Sequence, residues 1–123
     1  MNLIEKTKTL LAVCAECFER HARMRELDVE PDFFNEVKPY ADKIHTMLDE
    51  WTIEVSDWIK IAKPMYVHPV QIESLNDSMR QFVVQSFYQK TGKKRFVLSI
   101  NSAEYTFKTI LDALDRAEEG EAE

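Results

Sequence analysis

Two prolines near the middle of the chain, Pro64 and Pro69, constrain the fold more than any other feature of the sequence. Proline lacks a backbone N–H and pushes the preceding residue towards extended geometry, so one helix cannot hold both. Residues 64–69 are therefore interpreted as a hinge between two helical halves, in which Tyr66 packs its ring and His68 caps the next helix. A structural role is favoured for both, because the sequence identifies no partner that would orient His68 as a catalytic base.

Composition narrows the class of protein. A chain of 123 residues with 45% hydrophobic and 31% charged residues is typical of one globular domain. Two glycines and four prolines leave few turn residues for an all-β fold. The net charge of −6 argues against general nucleic-acid binding, which depends on neutralising phosphates, and no apolar run is long enough to span a membrane. A short N-terminal apolar run followed by Glu16 makes a poor secretory signal, so we expect a cytoplasmic protein. No cofactor is expected.

Four segments carry apolar residues at spacings of three and four, the pattern of helices with one buried face. The first is predicted to run from Asn2, a good N-cap, to about Leu27, and the second to end near Ala62. The third begins near Pro69 and ends before residue 91, with Gly92 in a left-handed position. The predicted inward residues of the fourth are Phe96, Ile100, Ala103, Phe107, Ile110, Leu111 and Leu114.

The start of the second helix is left open by the sequence. Asp32 can cap a short turn containing Phe33 and Phe34, with Pro39 in the first turn of the next helix. Alternatively, Pro39 kinks one longer helix that begins at Asp32.

The predicted fold is an all-α, antiparallel up-down-up-down four-helix bundle, because long helices joined by short connections favour antiparallel neighbours. Residues 1–116 are predicted to form its single domain. Residues 117–123 are rich in glutamate and are predicted to form a frayed acidic tail.

Several short motifs in this order resemble the YppE-like family of small bacterial proteins whose function is undetermined. They are Asp32-Phe33-Phe34 with Lys38-Pro39, then Pro64-x-Tyr66-Val67-His68-x-x-Gln71-Ile72-Glu73, Gln85-Ser86, Lys93-Lys94-Arg95-Phe96 and Tyr105-Thr106. The resemblance covers roughly residues 32–107 and implies a four-helix bundle. It implies no catalytic residues.

Cys14, Cys17 and His21 lie at i, i+3 and i+7, which places two thiols and an imidazole on one helical face. Such a face can bind a soft metal such as zinc or copper(I) when a fourth ligand completes the site. His45 on the second helix should lie at a similar height to His21 and is a candidate fourth ligand, but its helical phase turns it away from the core. The favoured interpretation is that both cysteines are small core residues and that no metal is bound.

Carboxylates at i, i+3 spacing raise the hypothesis of a metal-dependent phosphohydrolase, which requires them to converge in a cleft. The pairs are Glu16 with Glu19, Glu54 with Asp57, and Asp112 with Asp115. A catalytic site is not favoured, because helical phase puts Glu54 at a boundary and the following carboxylates on solvent faces: Glu16, Glu19, Asp57 and Asp112.

The basic run Lys93-Lys94-Arg95 lies at the turn between the third and fourth helices. In an up-down bundle this turn shares an end with the acidic connection at residues 28–32, which favours a charge-complementary bundle end. The alternative is an anion pocket formed by this run and the N-terminal amides of the fourth helix.

Apolar residues away from the main stripes mark a possible interaction face on the third and fourth helices: Val70, Val84, Tyr88, Leu98 and Tyr105. If the two helices are adjacent, these residues form a patch for a protein partner or for self-association. The alternatives are that they are scattered surface residues, or that Tyr105 is buried against Tyr66 or the hinge. The sequence therefore favours a non-enzymatic protein-interaction module. The alternative is a metal- or anion-binding bundle or a metal-dependent enzyme.

Overall fold

The computed structural model describes residues 1–122, with side chains described through Ala117. Within these residues the structure has four α-helices: α1 (Leu3–Leu27), α2 (Lys38–Ala62), α3 (Pro69–Gln85) and α4 (Lys93–Ala122). Helix α1 packs mainly on α4 and α2, and α3 packs on α2 and α4. Each helix therefore has two neighbours, and the four helices together form a closed bundle. The predicted four-helix bundle is confirmed. Within the described residues, no helix is long and apolar enough to cross a membrane.

The acidic segment at residues 117–123 falls mostly outside the described side chains. The bounds of α4 extend to Ala122, and the side chains of residues 118–123 lie outside the described residues. The expected fraying of this segment stays a prediction.

The core is built from large side chains that the helical periodicity places inward. Trp51, Phe96 and Phe107 are among the largest fully buried side chains. The rings of Trp51 and Phe107 meet edge to face, with centroids 5.1 Å apart. The indole N–H of Trp51 donates to Thr7 Oγ1 at 2.8 Å, and that hydroxyl donates to the Leu3 carbonyl at 2.7 Å. This buried polar pair is therefore satisfied without water.

The ends of α1 and α2 use left-handed residues that are not glycine. Asp28 has a φ of 54° and Lys63 a φ of 47°, and their N–H groups donate to the carbonyls of Met24 and Ile59. These bonds satisfy carbonyls that a helix end leaves without partners.

Gly92 was expected in such a left-handed position, and this prediction is wrong. Helix α3 ends at Gln85, earlier than predicted. Hydrogen bonds between residues three apart, such as Phe87 N to the Val84 carbonyl (3.2 Å), then form a tight turn. Gly92 does not have a positive φ, and its carbonyl accepts from Phe96 N at 3.2 Å as α4 begins. The glycine therefore starts α4 rather than ending α3.

A single turn of π-helix at Phe33–Val37 leads directly into α2. The Asp32 side chain accepts from Asn35 N at 3.1 Å, and Val37 N donates five residues back to the Asp32 carbonyl at 3.3 Å. Pro39 lies in the first turn of α2. Both sequence alternatives are thus partly right, because helical geometry begins near Asp32 and the wide turn accommodates a proline that would disturb a regular helix.

The hinge at residues 64–69 is anchored by Val67 rather than by Tyr66. Val67 is only 3% exposed, whereas Tyr66 is 66% exposed and has a φ of 68°. The expected packing of the Tyr66 ring is therefore not observed, because the left-handed turn directs Val67 into the core. His68 lies at the N-cap of α3, where its N–H donates to Gln71 Oε1 at 2.8 Å.

Val67→Ala is expected to lower the free energy of unfolding by about 1–3 kcal/mol, because it removes two buried methyl groups. The matched substitution Tyr66→Ala should change it by less than about 0.5 kcal/mol, since the ring is exposed. Urea denaturation followed by circular dichroism compares the two. A larger loss in Tyr66→Ala would contradict this description of the hinge.

Candidate interaction groove

A groove with a volume of about 580 Å³ runs between α3 and α4. Its floor contains Leu75 and Ala103, both buried. Small and polar residues at helical spacings form its walls: Ser74, Ser78, Ser99, Ser102 and Thr106. A continuation of about 230 Å³ extends towards the α3–α4 turn and shares Arg95 with the main groove. Short side chains on both helices keep this surface concave.

Three exposed apolar side chains line the groove. Val70 is 65% exposed, Leu98 59% and Tyr105 72%. The exposure of Tyr105 rules out its burial against Tyr66, which was one sequence alternative. The structure therefore brings together three residues of the predicted face, Val70, Leu98 and Tyr105.

The other two residues of the predicted face do not line this groove. Val84 is half-buried and packs against the core. Tyr88 is half-buried in the turn that follows α3. The helical phase used for the prediction fails there because α3 ends at Gln85, so Tyr88 no longer follows its spacing.

The groove differs in charge from the rest of the chain. None of the described residues that line its two parts is an aspartate or a glutamate, although the chain contains 22 acidic residues. Arg95 is the one charged residue among this described lining. The surface therefore accommodates apolar groups and a single anion more readily than a cation.

The basic run of residues 93–95 divides over different faces of the bundle. Arg95 lines the groove, Lys93 lines a separate pocket between α1 and α4, and Lys94 is exposed and lines neither. No ion pair within the described part of the chain joins this run to the acidic α1–α2 connection. A single anion pocket formed by all three side chains is therefore not observed, and anion contact by the individual residues stays a prediction.

The two thiols and His21 are parts of the packed core. Cys14 and Cys17 are fully buried, and burial raises the pKa of both, which keeps them protonated. His21 stacks on Phe96 with ring centroids 4.2 Å apart, and its Nε2 lies 3.1 Å from the Thr91 carbonyl. Among the described residues, no group of three or more His, Cys, Asp or Glu side chains is placed to hold a metal. The metal hypothesis for these residues gains no support.

The candidate carboxylate pairs do not converge either. Glu54 pairs with Lys6 across α1 and α2. The remaining members lie on exposed faces: Glu16, Glu19, Asp57, Asp112 and Asp115. Their placement agrees with the helical phase and offers no cleft for a shared magnesium ion.

Sequence reasoning missed a half-buried arginine that joins α1, α2 and the turn after α3. The guanidinium carbon of Arg20 lies 4.2 Å from the ring centroid of Tyr40 and 4.4 Å from that of Phe87. Its Nη1 donates to Ser86 Oγ at 3.0 Å. Burial raises the pKa of Tyr40 to about 12, and its hydroxyl donates to Glu16 Oε2 at 2.9 Å. The geometry is that of a structural clamp, since the arginine is enclosed by residues of its own bundle.

Helix order, core and groove define a small all-α protein of the four-helix-bundle class. A family model described as a bacterial domain of unknown function (DUF1798) matches residues 7–114. The chain belongs to this family, and the YppE-like resemblance is confirmed.

Relatives of this chain include the uncharacterised protein YppE of Bacillus subtilis (strain 168), 29% identical over 94% of each chain. The crystal structure of YppE from Bacillus subtilis aligns with a TM-score of 0.91 and 28% identity over 95% of each chain. A Listeria innocua protein of unknown function aligns with a TM-score of 0.90 and 26% identity, covering 97% of this chain and 95% of the other.

Proposed function

We propose that this protein is a non-enzymatic interaction module that binds an apolar, acidic segment of a partner protein in the α3–α4 groove. The observation that supports this proposal is the exposure of Val70, Leu98 and Tyr105 around a described lining that contains no carboxylate. Large exposed apolar patches on a soluble protein usually mark an interaction site or a ligand-binding groove.

Apolar contacts supply the affinity of this surface. Covering a leucine or valine side chain contributes about 1.5–3 kcal/mol when burial is complete. Tyrosine and arginine are among the residue types enriched at the positions that dominate binding energy in protein interfaces, and Tyr105 and Arg95 both line the groove.

A helix is the segment that fits this groove best. Ser74 and Ser78 on α3, and Ser99 and Ser102 on α4, are spaced by one helical turn, so a third helix can approach both. Amphipathic helices that dock in grooves place their apolar residues at i, i+3, i+4 and i+7. A carboxylate on such a helix would pair with Arg95.

Site-specific photocrosslinking in cells tests the proposal. A benzophenone side chain at position 98 should yield a covalent adduct with one partner protein, and Tyr105→Asp should abolish it. A benzophenone at Ile53, a similarly exposed position on α2, is the matched control and should not capture that protein. With the purified partner, Leu98→Asp should weaken binding at least about tenfold, whereas Ile53→Asp should not.

Two results would overturn the proposal. The first is capture of the same proteins from positions 98 and 53, which would indicate nonspecific contact. The second is an adduct of twice the chain mass as the sole product, which would make a second copy the occupant. Circular dichroism of each variant must match that of the unmodified protein.

A further inference from the structure

A second pocket, separate from the groove, lies between α1 and α4 and has a volume of about 220 Å³. The side chains that line it are Phe18, His21, Ala22, Arg25, Lys93 and Val97. The phenyl, methyl and isopropyl groups make one side apolar. His21 contributes a ring that is already stacked on Phe96 and bonded to the Thr91 carbonyl, so the pocket wall is fixed.

Two cations, Arg25 and Lys93, stand at this apolar pocket. Both are exposed, and neither belongs to an ion pair within the described part of the chain. Arg25 lies in the last turn of α1, where a cation stabilises the helix dipole. Lys93 lies in the first turn of α4, where a cation is unfavourable. Helix stability therefore explains Arg25 but not Lys93.

We propose that this pocket binds a small organic carboxylate with an apolar ring or branched chain. The apolar part would contact Phe18, Ala22 and Val97, and the carboxylate would lie between Arg25 and Lys93. Pockets for drug-sized ligands have volumes of about 300–1,000 Å³, so the occupant of this one is smaller. The proposal is independent of the partner assigned to the α3–α4 groove.

The electrostatics of His21 support this arrangement. Burial lowers the pKa of this imidazole, and the charges of Arg25 and Lys93 lower it further. Both cations therefore act on the same point at the pocket wall. A bound carboxylate would neutralise the positive potential that they create there.

The test is an NMR titration of the ¹⁵N-labelled protein with 3-phenylpropionate, using 3-phenyl-1-propanol as the matched neutral probe. A ligand of about 11 non-hydrogen atoms is expected to bind with a Kd of about 1 mM. Saturable shifts should map to residues 18–25 and 93–97. The alcohol should bind at least about threefold more weakly, because it lacks the charge that the two cations attract.

Two variants locate the site. Lys93→Gln should weaken binding of 3-phenylpropionate at least about threefold, whereas the neighbouring Lys94→Gln should leave it unchanged, since Lys94 does not line the pocket. Ala22→Leu should abolish binding by filling the cavity, with helical content retained. Equal affinity for acid and alcohol, equal effects of the two lysine variants, or absence of saturable shifts would overturn the proposal.

Discussion

Replacing Phe107 with alanine is expected to lower the free energy of unfolding by about 3–5 kcal/mol. Phe107 is fully buried on α4 and packs edge to face on Trp51 of α2, so the substitution leaves a cavity that joins two helices. Domains of this size are stable by only about 5–15 kcal/mol. The loss would therefore be a large fraction of the total stability.

Urea denaturation measures this loss, with Ile53→Ala as the control. Ile53 is 65% exposed, so its truncation should change stability by less than about 0.5 kcal/mol. Similar midpoints for Phe107→Ala and Ile53→Ala would contradict the packing described for the centre of the bundle.

The second large effect is a loss of stability in mild acid that depends on His21. The ordinary pKa of histidine is 6.5, and burial lowers that of His21 in the folded protein. Well above pH 6.5 the imidazole is neutral in both the folded and the unfolded state. Below it, the unfolded chain binds a proton that the folded protein resists, so stability falls by up to about 1.4 kcal/mol per pH unit. Arg25 and Lys93 act in the same direction, because their charges disfavour the imidazolium.

Chemical denaturation between pH 7.5 and about pH 5 tests this dependence. His21→Gln is the matched variant, because its amide can still donate to the Thr91 carbonyl but does not titrate. Its stability should vary less with pH than that of the unmodified protein, whatever its absolute value. The Asp32 carboxyl does not interfere, since its hydrogen bonds with Asn35 lower its pKa from an ordinary value of 3.8. Equal pH dependence in the two proteins would contradict the assignment to His21.

Helical periodicity was sufficient to predict the bundle and most of its core. Cys14 and Cys17 are buried on α1 as predicted, and Phe96 and Ile100 are buried on α4. Periodicity succeeds here because each helix has only one face that can reach the centre of the bundle. The same argument placed Leu98 and Tyr105 on an exposed face.

Helical periodicity could not predict features that depend on contacts between helices. Arg20 looks like an ordinary charged surface residue along α1, and only the neighbouring rings of Tyr40 and Phe87 show that it is a clamp. Likewise, a left-handed position is usually assigned to glycine, yet Tyr66 takes one while Gly92 does not. At Tyr66, the burial of the neighbouring Val67 outweighs the usual preference for glycine at a left-handed position.

The π-turn before α2 also has a consequence for how chains of this kind tolerate changes in length. A π-turn is an α-helical turn with one inserted residue, so deleting one residue at positions 33–37 would restore regular helix geometry. The proline ring of Pro39 would then meet the preceding turn, and the Asp32 cap would rotate by about 100° around the helix axis. Length variation is therefore easier to accommodate in the α1–α2 connection before Asp32 than within the five residues that follow it.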